Sequence, residues 1–195
     1  MPSNNFQSIG RAMNWHADDE CWWYTLPFEF SYYSQSYTSL YVCSNGFIDM
    51  DNPYADWSST ERVFKLRKMI APFWADLRTD KGGNIYIDTS YSDEIGQGIY
   101  IRWKTRFYFN NGKQNFAVVL YNNGLIRFDY ETIYGSSSMD DTPVIGVSFG
   151  DNNHYTLSSY NGIQYPSNYN SLMFWPRKKA LREPSVNIGV EETLP

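Results

Sequence analysis

The sequence predicts an all-β protein, an antiparallel β-sandwich of two packed sheets built from about 10–12 short strands. Aromatic residues make up 18% of the chain and include 17 tyrosines, a composition that is typical of strands. Short stretches in which apolar and polar residues alternate recur along the chain, and turns containing Gly and Asn separate them. Because no segment keeps a helical period, we expect both layers of the fold to be sheets.

The clearest stretch is a meander of three antiparallel strands. Apolar residues alternate with basic residues and tyrosines along its first strand, the period of a half-buried strand. The next two strands repeat the alternation, and each turn contains Gly, which suits a tight hairpin. In chain order the strands and turns are 99–109, Asn111-Gly112, 114–121, Asn122-Asn123-Gly124 and 126–130.

The register of the meander follows from parity, because a slip by one residue would turn an apolar face outward. A two-residue type I′ loop at the first turn places Phe107 opposite Phe116. At the second turn, a three-residue loop with Gly124 in the left-handed conformation places Leu120 opposite Ile126. Both loops keep the apolar faces of the strands on one side.

The 195 residues are enough for one sizeable core and too few for two ordinary domains. Residues 1–20 are polar and predict an N-terminal arm that leads into the first strand, where Pro27 indicates an edge strand or a bulge. Residues 21–175 form the β-sandwich domain. The charged, Pro-containing segment 176–195 predicts a linker or tail.

Segment 61–70 is compatible with a strand or with a short amphipathic helix. A strand is favoured, because Val63, Phe64 and Leu66 lack clear helical spacing. The following segment, 70–77, is apolar enough to be buried.

The overall charge restricts the classes of partner. A net charge of −5 and a pI near 5.0 argue against nucleic acid, since a phosphate-binding surface needs a strong positive bias. No apolar run approaches the roughly 18 residues of a membrane span, so we expect no membrane insertion by this segment.

Two cysteines, Cys21 and Cys43, are too few for a disulfide scaffold. They could form one disulfide in a secreted chain, and two free buried thiols are an equal alternative.

No motif in the sequence predicts catalysis. His16 and His154 fall in the arm and at a turn, and neither has the spacing of a metal site or a catalytic triad. Nucleotide-binding loops and nucleophile elbows are absent from the sequence. We therefore expect a protein without enzymatic activity and without a cofactor.

Asp76 follows the apolar segment 70–77, and a buried carboxylate needs hydrogen-bond donors or a cation. Asp76 and Asp80 are weak candidates for calcium ligands, because hard cations prefer clustered oxygens. Turn capping by Asp76, which would accept backbone N–H groups, is the favoured alternative.

The polar face of the meander is the candidate binding surface. Its basic residues and tyrosines could bind an acidic partner or a glycan by charged hydrogen bonds and stacking. Charged side chains lying over an exposed sheet would produce the same pattern without any ligand. The candidate residues are Tyr100, Arg102, Lys104, Arg106, Tyr108, Tyr121, Arg127 and Asp129.

Five short motifs follow one another along the chain: Leu26-Pro27-Phe28-Glu29-Phe30 with Tyr32-Tyr33, then 40–48 (LYVCSNGFI), 70–76 (IAPFWAD), 115–121 (NFAVVLY) with 124–128 (GLIRF), and 145–148 (IGVS). Their order resembles the nidogen-like (NIDO) extracellular domain, over roughly residues 24–160. The flanks carry no further cysteines, which resembles a microbial surface protein more than an animal one.

The resemblance implies an extracellular or cell-surface module without enzymatic activity, part of a larger surface or secreted protein. Its expected role is interaction or structure, of the adhesion or matrix type. Its partner would be a protein or a glycan at a cell surface or in a matrix, and self-association is also open. The alternative function is a carbohydrate-binding β-sandwich module, since exposed aromatic residues on a sheet suit sugar stacking.

Overall fold

The computed structural model describes residues 5–110, 112–134, 142–163 and 170–175. Within these ranges the chain forms thirteen strands and one short helix; the predicted tail at 176–195 lies outside them. The elements are β1 Arg11–Ala12, β2 Cys21–Tyr32, β3 Gln35–Cys43, β4 Phe47–Asp49, α1 Glu61–Lys65, β5 Lys68–Trp74, β6 Leu77–Arg78, β7 Asn84–Asp88, β8 Gly98–Phe107, β9 Lys113–Tyr121, β10 Ile126–Ile133, β11 Val144–Phe149, β12 Tyr155–Leu157 and β13 Leu172–Phe174.

The strands form two antiparallel sheets, which confirms the predicted β-sandwich. The first sheet has the order β1-β7-β8-β9-β10-β13, and β6 pairs with β8 outside this path. The second sheet has the order β12-β11-β5-β4-β3-β2. The predicted edge position of Pro27 is also correct, because β2 lies at the edge of the second sheet and its pairing with β3 shifts between Thr25 and Phe30.

The inward-facing side chains of both sheets form the core. Trp103 of β8 stacks on Phe116 of β9 with ring centroids 5.5 Å apart, and its indole nitrogen donates to the carbonyl oxygen of Cys43 in the other sheet at 2.9 Å. The hydroxyl of Tyr130 likewise donates across the core to the carbonyl oxygen of Pro72 at 2.8 Å. These bonds satisfy the polar atoms that aromatic side chains bring into the core.

The second turn of the meander has the predicted geometry. Leu120 pairs with Ile126, and Gly124 has φ +89°, the left-handed region that favours glycine.

The predicted register of the first turn is wrong by four residues, because Phe116 pairs with Trp103 and not with Phe107. β8 stays paired with β9 up to Arg106 and Lys113, and the N–H of Phe107 donates to the carbonyl of Gly112 at 3.0 Å. The connection between the strands is therefore longer than the predicted two-residue loop. On the other side of β8, Leu77 of β6 pairs with Phe107, and the backbone N–H of Tyr108 donates to the carbonyl of Asp76 at 3.0 Å. Because four is an even number, both apolar faces still point inward.

The strand favoured at 61–70 is correct only from Lys68 onward. Residues 61–65 form helix α1 instead, because Thr60 caps it by accepting a hydrogen bond from the N–H of Val63 at 3.3 Å. Glu61 and Lys65 form an ion pair one turn apart, and Phe64 fixes the helix to the core.

Candidate functional site

The outer face of the first sheet carries a buried cluster of charged residues and tyrosines around Arg127. The side chain of Arg127 is 2% exposed, and its Nε and Nη2 donate to the Asp129 carboxylate at 2.9 and 3.0 Å. Its Nη1 donates to Asp93 at 2.6 Å and to the Tyr121 hydroxyl at 2.5 Å, and Nη2 donates to the Tyr91 hydroxyl at 2.6 Å. All three nitrogens therefore have acceptors, as a buried guanidinium requires.

The pKa values in this cluster show that its charges are paired. Burial raises the pKa of Asp93, but hydrogen bonds from Tyr121 and Arg127 and from a second tyrosine outweigh it and lower the pKa to about 2. Burial raises the pKa of Asp129, and the guanidinium beside it offsets that rise in part. Burial lowers the pKa of Arg127, but the charge and hydrogen bonds of Asp129 outweigh this effect, with Tyr121 and Tyr91 adding to them, so that the pKa is raised.

The N-terminal arm covers the same face. Phe6 and Ile9 pack against its apolar part. The backbone N–H of Gln7 donates to the hydroxyl of Tyr100 at 2.9 Å, and Nε of Arg102 donates to the carbonyl of Ile9 at 3.1 Å. Strand β1 extends the arm along the sheet by pairing with β7. The polar groups of this face are thus bonded to the chain itself.

The prediction of a solvent-open meander face is wrong for most of its candidates. With the observed register, Arg102 and not Arg106 lies beside Ala117. Only Lys104, Arg106 and Tyr108 reach the surface, and their role in binding stays a prediction. We call the five buried candidates the covered face: Tyr100, Arg102, Tyr121, Arg127 and Asp129.

A cavity of about 270 Å³ opens where β8 ends. Three aromatic side chains stand at its mouth, with exposed fractions of 57% for Trp57, 41% for Tyr108 and 66% for Phe109. Three carboxylates complete its lining. We call it the aromatic cavity, lined by Asp18, Asp19, Trp57, Asp76, Tyr108 and Phe109.

The carboxylates of the aromatic cavity come from distant parts of the chain. Asp18 and Asp19 end the arm, and each places a carboxylate oxygen within 4.8 Å of one of Asp76. Burial raises the pKa of Asp18, Arg78 lowers it in part, and the nearby charge of Asp19 raises it further. The cavity therefore concentrates negative charge and favours positively charged or hydroxyl-bearing groups.

The predicted combination of Asp76 with Asp80 does not form. Arg78 binds Asp80 through two hydrogen bonds of 2.7 and 2.8 Å, and Asp76 instead joins the two arm carboxylates. Calcium binding at Asp76 stays a prediction.

A second cavity, of about 250 Å³, lies along the last pairs of β8 and β9. It brings together Lys104 and Arg106 of β8 and Lys113 of β9, with amide and hydroxyl side chains between them. We call it the basic cavity, lined by Gly82, Lys104, Thr105, Arg106, Lys113, Gln114, Asn115, Glu131 and Thr132.

Cys21 and Cys43 form a disulfide, which resolves the alternatives left by the sequence. They are directly paired across β2 and β3, with Cα atoms 4.0 Å apart. The bond fastens the strand that follows the arm to its neighbour. Disulfides persist in oxidising compartments such as the extracellular space.

Several residues of the aromatic cavity escaped the sequence patterns. Trp57 lies in a polar insertion without alternation, where it and Tyr54 are the only aromatic residues. Phe109 fits the apolar phase of the first meander strand, but that strand ends at Phe107 and Phe109 is exposed in the turn. Asp18 and Asp19 are positioned by long-range contacts, since Asn45 donates to Asp19 at 2.7 Å.

The protein is thus an antiparallel β-sandwich with one disulfide within the described residues. The aromatic cavity and the basic cavity both lie near the end of β8. A comparison with models of protein families matches residues 2–175 to the family described as NIDO related. The chain belongs to this family, which confirms the resemblance to a nidogen-like domain. No curated protein and no solved structure matches the chain.

Domains of the NIDO type are typically extracellular, and the Cys21–Cys43 disulfide fits that location. Among the residues that the structure describes, no helix has the length and apolar character needed to cross a bilayer.

Proposed function

We propose that this domain is an extracellular interaction module of the adhesion or matrix type, without enzymatic activity, and that it binds a protein partner through the aromatic cavity. The observation that carries the proposal is the exposure of Trp57, Tyr108 and Phe109 around one cavity. Large aromatic side chains grouped at a surface are typical of binding sites, where they lose little conformational entropy and bury much area.

The charge of the cavity supports a partner with basic side chains. A Lys or Arg side chain could place its cation among Asp18, Asp19 and Asp76 and its stem against the aromatic rings. The exposed position of these rings and the family membership fit a module that presents its contact surface to other molecules.

A carbohydrate is the second candidate ligand for the same cavity. Aromatic rings beside carboxylates are also the groups that a sugar requires, since the rings stack on its C–H face and the carboxylates accept its hydroxyls. Trp57 and Phe109 are the most exposed of the three rings and could act as stacking platforms.

A multimerised, biotinylated form of the domain can test both candidates on an array of purified extracellular proteins and on a glycan array. We expect binding to a protein that Trp57→Ala or Phe109→Ala weakens about tenfold or more. Trp23→Ala is the matched control, because Trp23 is equally exposed, at 59%, on the edge strand β2 outside the cavity.

The outcomes separate the candidates. Binding to glycans alone, with the same dependence on Trp57 and Phe109, would replace the protein partner by a carbohydrate. Equal losses in the Trp23→Ala variant, or hydrolysis of a bound ligand by the domain, would refute the interaction site proposed for the aromatic cavity.

A further inference from the structure

The basic cavity is separate from the aromatic cavity, and its charge is opposite. Lys104 and Arg106 point outward from β8, and Lys113 is paired directly with Arg106 across the ladder. Like charges directly opposite in a sheet destabilise it. An anion between them would relieve this repulsion.

Its lysines are available to a ligand. Lys104 and Lys113 are exposed, and within the described residues neither lies within salt-bridge distance of a carboxylate. Arg106 is partly oriented by the chain, because its Nε donates to the carbonyl of Lys81 at 3.0 Å. Two exposed ammonium groups and one guanidinium held by the chain therefore line a single cavity.

Gln114 lines the cavity, but its side chain does not face a ligand there. It pairs with Thr105 and has the same parity as the core residue Phe116, so it points to the inner face of the sheet, away from Lys104 and Lys113. Its Nε2 donates to the carbonyls of Gly112 and Tyr134 at 3.3 and 2.7 Å, which fixes the amide on that inner face.

Glu131 supplies an exposed acceptor. Nδ2 of Asn115 donates to its carboxylate at 2.5 Å and holds it at the cavity. A ligand that fits must therefore bring a negative charge to the lysines and a hydrogen-bond donor to Glu131.

We propose that the basic cavity binds an acidic sugar, a monosaccharide unit that carries a carboxylate together with free hydroxyls, as in a uronic acid. The carboxylate lies between Lys104, Arg106 and Lys113, and a hydroxyl donates to Glu131. A polyacidic peptide fits less well, because it has no hydroxyl to donate to Glu131, which repels its carboxylates. This site does not rest on the function proposed for the aromatic cavity.

Isothermal titration of the full chain with trigalacturonic acid tests the proposal, with trigalactose and pentaglutamate as comparison probes. We expect saturable binding of trigalacturonic acid that weakens with added salt. Lys104→Gln and Lys113→Gln should each raise its Kd about tenfold, since each removes one charged hydrogen bond.

Arg62→Gln is the matched control for the loss of one positive charge. Arg62 is exposed on helix α1, which packs against β5 and β11 of the other sheet, and its replacement should leave the Kd unchanged. Because Lys104 and Lys113 are exposed, far-UV circular dichroism should show that both variants remain folded.

Four results would overturn the proposal: no saturable binding of trigalacturonic acid, equal binding of trigalactose, tighter binding of pentaglutamate, or unchanged Kd values in both lysine variants. Loss of binding in Trp57→Ala with no effect of the lysine variants would move the acidic sugar to the aromatic cavity, and would equally refute the basic site.

Discussion

The covered face and the basic cavity use the same kinds of side chain on the same sheet, yet they serve different purposes. On the covered face, Arg127 and Tyr121 have all their polar partners within the chain, and the arm lies over them. Four and six residues beyond Arg102, the last residue of β8 in the covered face, Arg106 and Tyr108 reach the surface. A basic and tyrosine-rich strand face thus becomes structural or accessible according to what lies over it.

The difference in partners implies a difference in energy. An intact buried ion pair adds little net stability, because desolvation offsets the attraction between its charges. Removing the guanidinium alone, however, leaves its carboxylates buried without compensation. A surface cation exchanges protein partners for water at little cost. Mutations should therefore affect stability on the covered face and binding at the cavities.

The largest effect is expected from Arg127→Met. Asp129 is 0% exposed, and loss of the guanidinium would leave it and Asp93 without their cation. The free energy of unfolding should fall by about 3–5 kcal/mol. Urea denaturation followed by tryptophan fluorescence measures this loss.

Arg106→Met is the control, because it replaces the same residue type on β8 of the same sheet, two strands away from Arg127 on β10. Arg106 is only partly buried, so the loss should stay below about 1 kcal/mol. Similar losses of unfolding free energy in the two variants would show that the paired charges of the covered face contribute no more to stability than a surface arginine does.

Lowering the pH should reveal the same difference between paired buried charges and surface charges, through the protonation of Asp93. Its pKa in the folded protein is about 2, below its ordinary value, so the stabilisation it contributes is complete above about pH 4 and is lost as the pH falls towards 2. Because the side chain is 18% exposed, we expect a contribution of about 1–2 kcal/mol.

Urea midpoints at pH 7, 4 and 2.5 for the wild type and for Asp93→Asn measure this contribution. The wild type should lose more stability than the variant between pH 4 and 2.5. A parallel loss in both proteins would assign the acid sensitivity to other carboxylates, such as Asp80 and Asp151, whose pKa values are also lowered.

Much of the fold follows from local patterns. Alternation and parity predicted the strands and the pairing of Leu120 with Ile126, because a three-residue turn with Gly124 allows one register that keeps both faces buried. The first hairpin escaped the same reasoning, since the paired strands end at Arg106 and Lys113 and the N–H of Tyr108 bonds to the distant carbonyl of Asp76, a contact that the local pattern does not show.

The candidate site was harder to predict, because it depends on contacts between distant parts of the chain. Nothing in the alternation of the meander shows that Phe6 and Ile9 lie across it. The meeting of Asp18 and Asp19 with Asp76 likewise depends on where the arm ends in space. Charge and periodicity identify the face of a strand, whereas its exposure depends on the rest of the molecule.

Phe109→Ala should have the smallest effect on stability. Phe107 and Phe109 occupy equivalent positions in the sequence pattern, but Phe107 is fully buried and Phe109 is 66% exposed. The Phe109 variant should lose at most about 0.5 kcal/mol, whereas Phe107→Ala should lose about 3–5 kcal/mol. Urea denaturation of the two variants makes the comparison directly.

The pair also tests where β8 ends. If Phe109→Ala lost as much stability as Phe107→Ala, the strand would have to continue inward through Phe109, as alternation alone predicts. The aromatic cavity would then lose one of its three rings, because a residue that supports the core cannot also stand at the mouth of a binding site. A small loss, in contrast, leaves Phe109 free to contribute to binding.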